Sequence, residues 1–140
     1  MSSLYRKIMV PVDLAHLSGL AKALRTAADL AAGYRIPVCY VSVAPGPAPV
    51  TAERADEFRE ALDSFALDQA ERHGFEATAR AVIPEGDGAD LREALMRALE
   101  ESGADLVVMA SHIPDVDDRL FASNAAFVAA SATVTVMVVR

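Results

Sequence analysis

The sequence predicts an α/β protein with a doubly wound (Rossmann-like), five-stranded, mainly parallel sheet and four helices. Three observations lead there. Short apolar runs alternate with longer segments whose apolar residues recur at helical spacing, and strands separated by helices pair in parallel through right-handed crossovers. The run Leu106-Val107-Val108-Met109-Ala110 contains no polar residue, as a central strand covered on both faces should. A polar loop and a helical stretch then lead into a last apolar run, Val134-Thr135-Val136-Met137-Val138-Val139-Arg140. That order sets a loop and a helix N-terminus at the carboxyl edge of the sheet, where open α/β sheets bind their ligands.

Taken in order, Ile8 to Val12 is the first strand. Leu17, Leu20, Ala21, Leu24, Ala27, Ala28 and Ala31 then recur at helical spacing until Gly33 offers a stop. Val38-Cys39-Tyr40-Val41-Ser42-Val43 is the second strand. Ala44-Pro45-Gly46-Pro47-Ala48-Pro49 can continue neither element and reads as a loop, with Thr51 as N-cap of the second helix. That helix sets Ala55, Phe58, Leu62, Phe65 and Gln69 on one stripe and ends near Gly74. Phe75 to Ile83 alternates as a third strand. Asp87 or Asp90 starts the helix carrying Leu91, Ala94, Leu95, Ala98 and Leu99, and Gly103 ends it. After the Leu106 to Ala110 strand, Ser123 or Asn124 caps the helix containing Ala125-Ala126-Phe127-Val128-Ala129-Ala130, leaving backbone N–H groups free for an anion. The 140 residues form one domain, 1–140, with no internal repeat or linker.

Composition bounds the function. With 53% hydrophobic and 24% charged residues the chain is an ordinary globular protein. A net charge of −7 with no basic stripe argues against nucleic acid as a partner. No apolar run approaches the roughly 20 residues that span a bilayer, and no cleavable leader is visible, so no membrane contact and a cytoplasmic location are expected. Cys39, the single cysteine, excludes an internal disulfide and a cysteine metal site.

The residues with chemistry gather at the carboxyl ends of the predicted strands. Asp13 follows the first strand, where its carboxylate either accepts from an adenosine amino or hydroxyl group or caps the first helix. Ser111-His112-Ile113-Pro114-Asp115 follows the fourth strand. The segment Asp115-Val116-Asp117-Asp118-Arg119 offers three carboxylates and one guanidinium, which repels a bare triphosphate. A bound Mg²⁺ reverses that sign, while a solvated acidic loop without metal is the plainer reading. His112 lacks a nucleophile or orienting acid at a defined spacing, which points to binding or loop packing. His16 and His73 are isolated, and no two histidines stand at metal-binding spacing. Met96, Phe58 and Phe65 are core residues.

These residues resemble the universal stress protein family. Lys7-Ile8-Met9-Val10-Pro11-Val12-Asp13 is similar to its opening strand and terminal Asp, and Val134 to Arg140 to its closing strand. Ala110-Ser111-His112-Ile113-Pro114-Asp115 and Leu120-Phe121-Ala122-Ser123-Asn124-Ala125 are similar to the subgroup pattern A-S-H-R-P-D and L-L-G-S-N-A. The resemblance covers essentially the whole chain and implies the adenine-nucleotide alpha hydrolase-like (Rossmann-like) form of the doubly wound sheet. It implies a stress-response protein binding ATP or another adenine nucleotide, with Mg²⁺, through Pro11, Val12, Asp13, Val41, Met109, Ala110, Ser111, His112, Ala122, Ser123 and Asn124. It also implies a homodimer through the last strand, 134–140. The glycines of the ATP-binding pattern are replaced: Ala110 and Ala122 stand at the first and third, and Ile113 at the second, a glycine or arginine position. An alanine forced into the left-handed region costs about 1–2 kcal/mol, so Ala122 is expected to weaken phosphate binding.

Other doubly wound families lack their required residues here. No G-x-G-x-x-G follows the first strand, no G-x-x-x-x-G-K-S/T occurs, and only Asp13 stands where a phosphoacceptor domain needs clustered acids. Two functional classes remain: an adenine-nucleotide-binding stress protein, and a nucleotide-free homolog acting as a dimeric protein-interaction module. A slow ATPase ranks third, since no catalytic base is identifiable.

Overall fold

A computed structural model describes residues 4–45, 49–84, 91–111 and 124–140, with position 91 and positions 124–127 described by their backbone. Five strands, β1 (Ile8–Pro11), β2 (Val38–Val43), β3 (Ala77–Val82), β4 (Leu106–Ala110) and β5 (Thr135–Val139), form one sheet. Their order is β3-β2-β1-β4-β5 and every pair is parallel, so the expected doubly wound sheet is present. The helices are α1 (Ala21–Tyr34), α2 (Ala52–His73), α3 (Leu91–Ser102) and α4 (Asn124–Ser131), and a 3-10 segment, Leu14–Leu20, precedes α1.

Burial follows position in the sheet. All of β1 and β4 is buried, as is β2 up to Val43. The outer strand β5 instead leaves Met137 and Val138 exposed. Helices contribute small and aliphatic residues to the core, among them Ala23, Ala27 and Ala31 from α1, Leu62 and Ala66 from α2, and Leu95 and Leu99 from α3. Tyr40 is wholly buried in β2, with its ring edge-on to Phe65 of α2 at 5.1 Å. Among the described residues its hydroxyl has no hydrogen-bond partner, and burial pushes the phenol well above its ordinary pKa.

The helix ends show which local signals act. Thr51 caps α2 as expected, its side chain accepting from the Arg54 N–H at 3.2 Å. At the other end Gly74 adopts φ 75°, and the Gly74 and Phe75 N–H groups both donate to the Ala70 carbonyl. The first helix departs from the sequence reading at both ends. Its first turns are 3-10, and Gly33 does not stop it. The chain turns instead at Arg35, in the left-handed region at φ 58° and ψ 49°, with the Arg35 and Ile36 N–H groups donating to Ala31. Ile36 decides this. It is 6% exposed, and the turn at Arg35 lets it pack back under the helix end, as an apolar residue does after such a cap. The third strand is shorter than the expected 75–83, since Phe75 belongs to the cap of α2.

Candidate functional site

The strand order reverses at β1: the chain winds outward to β2 and β3, then returns to β4 and β5 on the other side. At such a switch point the two connections leave in opposite directions and a crevice opens at the carboxyl ends. Pro11 widens it. The N–H groups of Ile8 and Val12 donate to Pro37 and Val41 on the β2 side. In a strand, donors alternate between neighbours, so Met9 and Pro11 face β4. Proline has no N–H, and the β1–β4 ladder runs only through Ile8–Leu106 and Met9–Val107. Beyond it β1 continues against β2 to Pro11–Val41, while β4 continues against β5 to Ala110–Val139.

Asp13 stands at the mouth of this gap with an extended backbone, φ −118° and ψ 108°, and caps the 3-10 segment. Its Oδ1 accepts from the Ala15 N–H at 3.0 Å, and its Oδ2 lies 2.9 Å from His16 Nδ1. A carboxylate only accepts, so Nδ1 carries the hydrogen and Nε2 the lone pair when the ring is neutral. The His16 N–H also donates to the Asp13 carbonyl at 3.1 Å, and the His16 backbone leaves helical geometry at φ −134° and ψ 42°. That kink folds the ring back onto the carboxylate. Below Asp13, Val12 donates to Val41 at 2.8 Å, and the buried Ser42 hydroxyl donates to the Val12 carbonyl at 2.7 Å. The end of β1 is thus tied to β2 on both sides of its last peptide.

The expected site residues divide into three groups. Pro11, Val12 and Asp13 lie together at the end of β1, with Val41 hydrogen-bonded beside them. Met109, Ala110 and Ser111 end β4, the strand next to β1, with Met109 and Ala110 buried and the Ser111 N–H donating to Val139 at 2.9 Å. Asn124 opens α4. His112, Ala122, Ser123 and the acidic loop 115–119 lie outside the described residues, as do Asp87 and Asp90.

Sequence reading missed two residues. His16 is not isolated, since the structure pairs it with Asp13. The available signal was an Asp-x-x-His spacing directly after a strand. Ser42 reads as an interruption of an apolar run and is in fact the donor that holds Val12. His73 ends α2, and its ring stacks on Phe75 with centroids 6.3 Å apart.

A second concavity lies at the opposite edge of the sheet. It measures about 540 Å³ and is lined by Met96, Leu99, Glu100, Ala104, Thr133 and Val134. It belongs to the amino ends of β4 and β5, away from the switch point. Among the described residues no three His, Cys, Asp or Glu side chains converge as metal ligands, and no helix is long and apolar enough to cross a membrane.

A parallel sheet in the order β3-β2-β1-β4-β5, opening at its switch point beside a fixed carboxylate, defines a doubly wound protein with the adenine-nucleotide alpha hydrolase-like fold. The family model for the universal stress protein family matches residues 4–140, and the chain belongs to that family. It is similar to a universal stress protein from Archaeoglobus fulgidus, with 25% identity, a TM-score of 0.72, and 98% of this chain and 100% of that one covered. It is similar to a universal stress protein family member from Burkholderia pseudomallei, with 28% identity, a TM-score of 0.69, and 99% and 98% covered. A universal stress protein in complex with cAMP is 22% identical, with a TM-score of 0.71 and 99% of each chain covered. Comparison with curated proteins finds no match.

Proposed function

We propose that this protein is a cytoplasmic adenine-nucleotide-binding regulator of the stress response, with its site at the carboxyl edge between β1 and β4. The observation that carries this reading is Asp13, a carboxylate pinned at the mouth of the gap that Pro11 leaves in the sheet. An ionised carboxylate has about four acceptor positions. The Ala15 N–H and His16 take two, and the rest suit the amino group of adenine or a ribose hydroxyl. Solved structures of similar fold support the ligand class, being complexes with cAMP, dAMP and AMP. The subgroup likeness of 110–115 and 120–125 supports it as well. Magnesium enters only with a triphosphate.

The protein acts as a homodimer in this reading, through residues 134–140. Among the described residues no strand pairs with the outer side of β5, and Met137 and Val138 are 39% and 37% exposed. Apolar edges of this kind are ordinarily covered. One observation favours the second reading, a nucleotide-free interaction module: the Ser111 N–H, at a predicted phosphate position, already donates to Val139.

Calorimetric titration of AMP, ADP and ATP into wild type and Asp13→Ala separates the two. Asp13 serves the nucleoside portion that all three share, so the variant should lose affinity for each alike, by roughly 10-fold or more for a charge-assisted hydrogen bond. No binding by wild type at millimolar nucleotide would establish the module instead.

A further inference from the structure

We propose that His16 is a positioning residue of the nucleoside site, holding the Asp13 carboxylate in the one orientation that recognises its ligand. The assignment rests on the nucleotide reading above and adds His16 to the residues named there. Three observations carry it. His16 Nδ1 lies 2.9 Å from Asp13 Oδ2, while Oδ1 is held at 3.0 Å by the Ala15 N–H, so both oxygens are pinned and the carboxylate plane is fixed. The His16 backbone departs from helical geometry within an otherwise 3-10 segment, at φ −134° and ψ 42°, the departure that returns its ring to Asp13. The two side chains are only partly covered, 41% exposed for His16 and 29% for Asp13, so the pair lies at the surface rather than in the core.

A carboxylate on a short side chain otherwise turns about its last bond, and a ligand must stop that rotation on binding. Hydrogen bonds to both oxygens remove the freedom beforehand, which is how preorganised sites gain affinity without a new ligand contact. They also aim the remaining lone pairs. Adenosine, with no phosphate, should depend on His16 as strongly as AMP does.

The test uses adenosine and AMP titrated into the full chain as wild type, His16→Ala, His16→Asn and His16→Gln, with the melting temperature of each. Asparagine carries its amide where Nδ1 stands, and glutamine carries it where Nε2 stands. The expected result is a roughly 3- to 10-fold loss of affinity for both ligands in His16→Ala and His16→Gln, with wild-type affinity restored in His16→Asn. A merely structural histidine would shift melting and leave affinity unchanged in the folded variants. Equal affinities in wild type and His16→Ala would overturn the assignment and leave the nucleotide site standing. Rescue by glutamine and not asparagine would overturn it in favour of direct contact through Nε2. Absence of binding by wild type would overturn both readings together. If His16→Ala does not fold, the asparagine and glutamine pair decides.

Discussion

Replacing Gly33 by alanine should stabilise the protein, and the sign of that change is a sharp test of how α1 ends. A glycine near the end of an apolar stripe suggests a left-handed cap. Were Gly33 that cap, alanine there would cost about 1–2 kcal/mol. The structure instead places Gly33 inside α1 with no positive φ and gives the left-handed position to Arg35 at φ 58°. A Cβ built on Gly33 meets no atom within 4 Å, so no steric cost opposes the change. Glycine inside a helix is about 0.5–1 kcal/mol less favourable than alanine, and Gly33→Ala should recover that amount. Arg35→Gly works in the same direction. It relieves about 1–2 kcal/mol of left-handed strain and gives back about 0.4–1 kcal/mol in unfolded-chain freedom, for a net gain near 0.5–1 kcal/mol. For a chain of this size each kcal/mol moves the melting temperature by roughly 3–5 °C. Urea unfolding followed by circular dichroism, with a common slope for all variants, measures both. A destabilised Gly33→Ala would refute the placement of the helix end and the role given to Ile36.

Three further outcomes concern other parts of the molecule. Tyr40→Phe removes a buried hydroxyl that has no partner among the described residues and keeps the edge-on contact with Phe65, so it should be stabilising by about 1 kcal/mol in urea unfolding; a loss of 1 kcal/mol or more would show that the hydroxyl is satisfied. The Ser111 N–H to Val139 bond sets positions 135, 137 and 139 of β5 toward β4, so Val138→Pro removes a donor from the outer side and should weaken the homodimer proposed through β5; sedimentation showing wild type monomeric at tens of micromolar, or the variant equally dimeric, would rule that interface out. Ala122→Gly restores the residue the family pattern expects and should tighten ATP binding by roughly 5- to 30-fold, whereas unchanged affinity in a folded variant would show that alanine already suits the loop.

Periodicity and punctuation make most of the fold legible in the sequence. The apolar runs 38–41 and 106–110 read as buried strands, and Thr51 and Gly74 bracketed α2 to the residue. What stayed hidden depends on tertiary placement. Gly33 carries the stronger local stop signal, yet the burial of Ile36 overrides it and sends a non-glycine residue into the left-handed region. Asp13 was legible as a site residue because of where it stands after a strand. Its partner was not, because histidine at that spacing has many fates and only the kink at His16 selects this one. The effect of Pro11 was equally invisible: proline ordinarily argues against a central strand, and its consequence appears only once β4 is known to lie on its donor side.

Where a nucleotide touches the protein is the central question. Titrating AMP into isotopically labelled protein, and following backbone amides by NMR, reads that location without assuming any residue's role. The amides of Asp13, Ala15, His16 and Ser42 at the ends of β1 and β2, together with Ser111 at the end of β4, should shift progressively and saturate. Shifts confined to Leu99, Glu100, Ala104 and Val134 would place any ligand in the concavity at the opposite edge, and a spectrum unmoved at millimolar AMP would contradict nucleotide binding altogether.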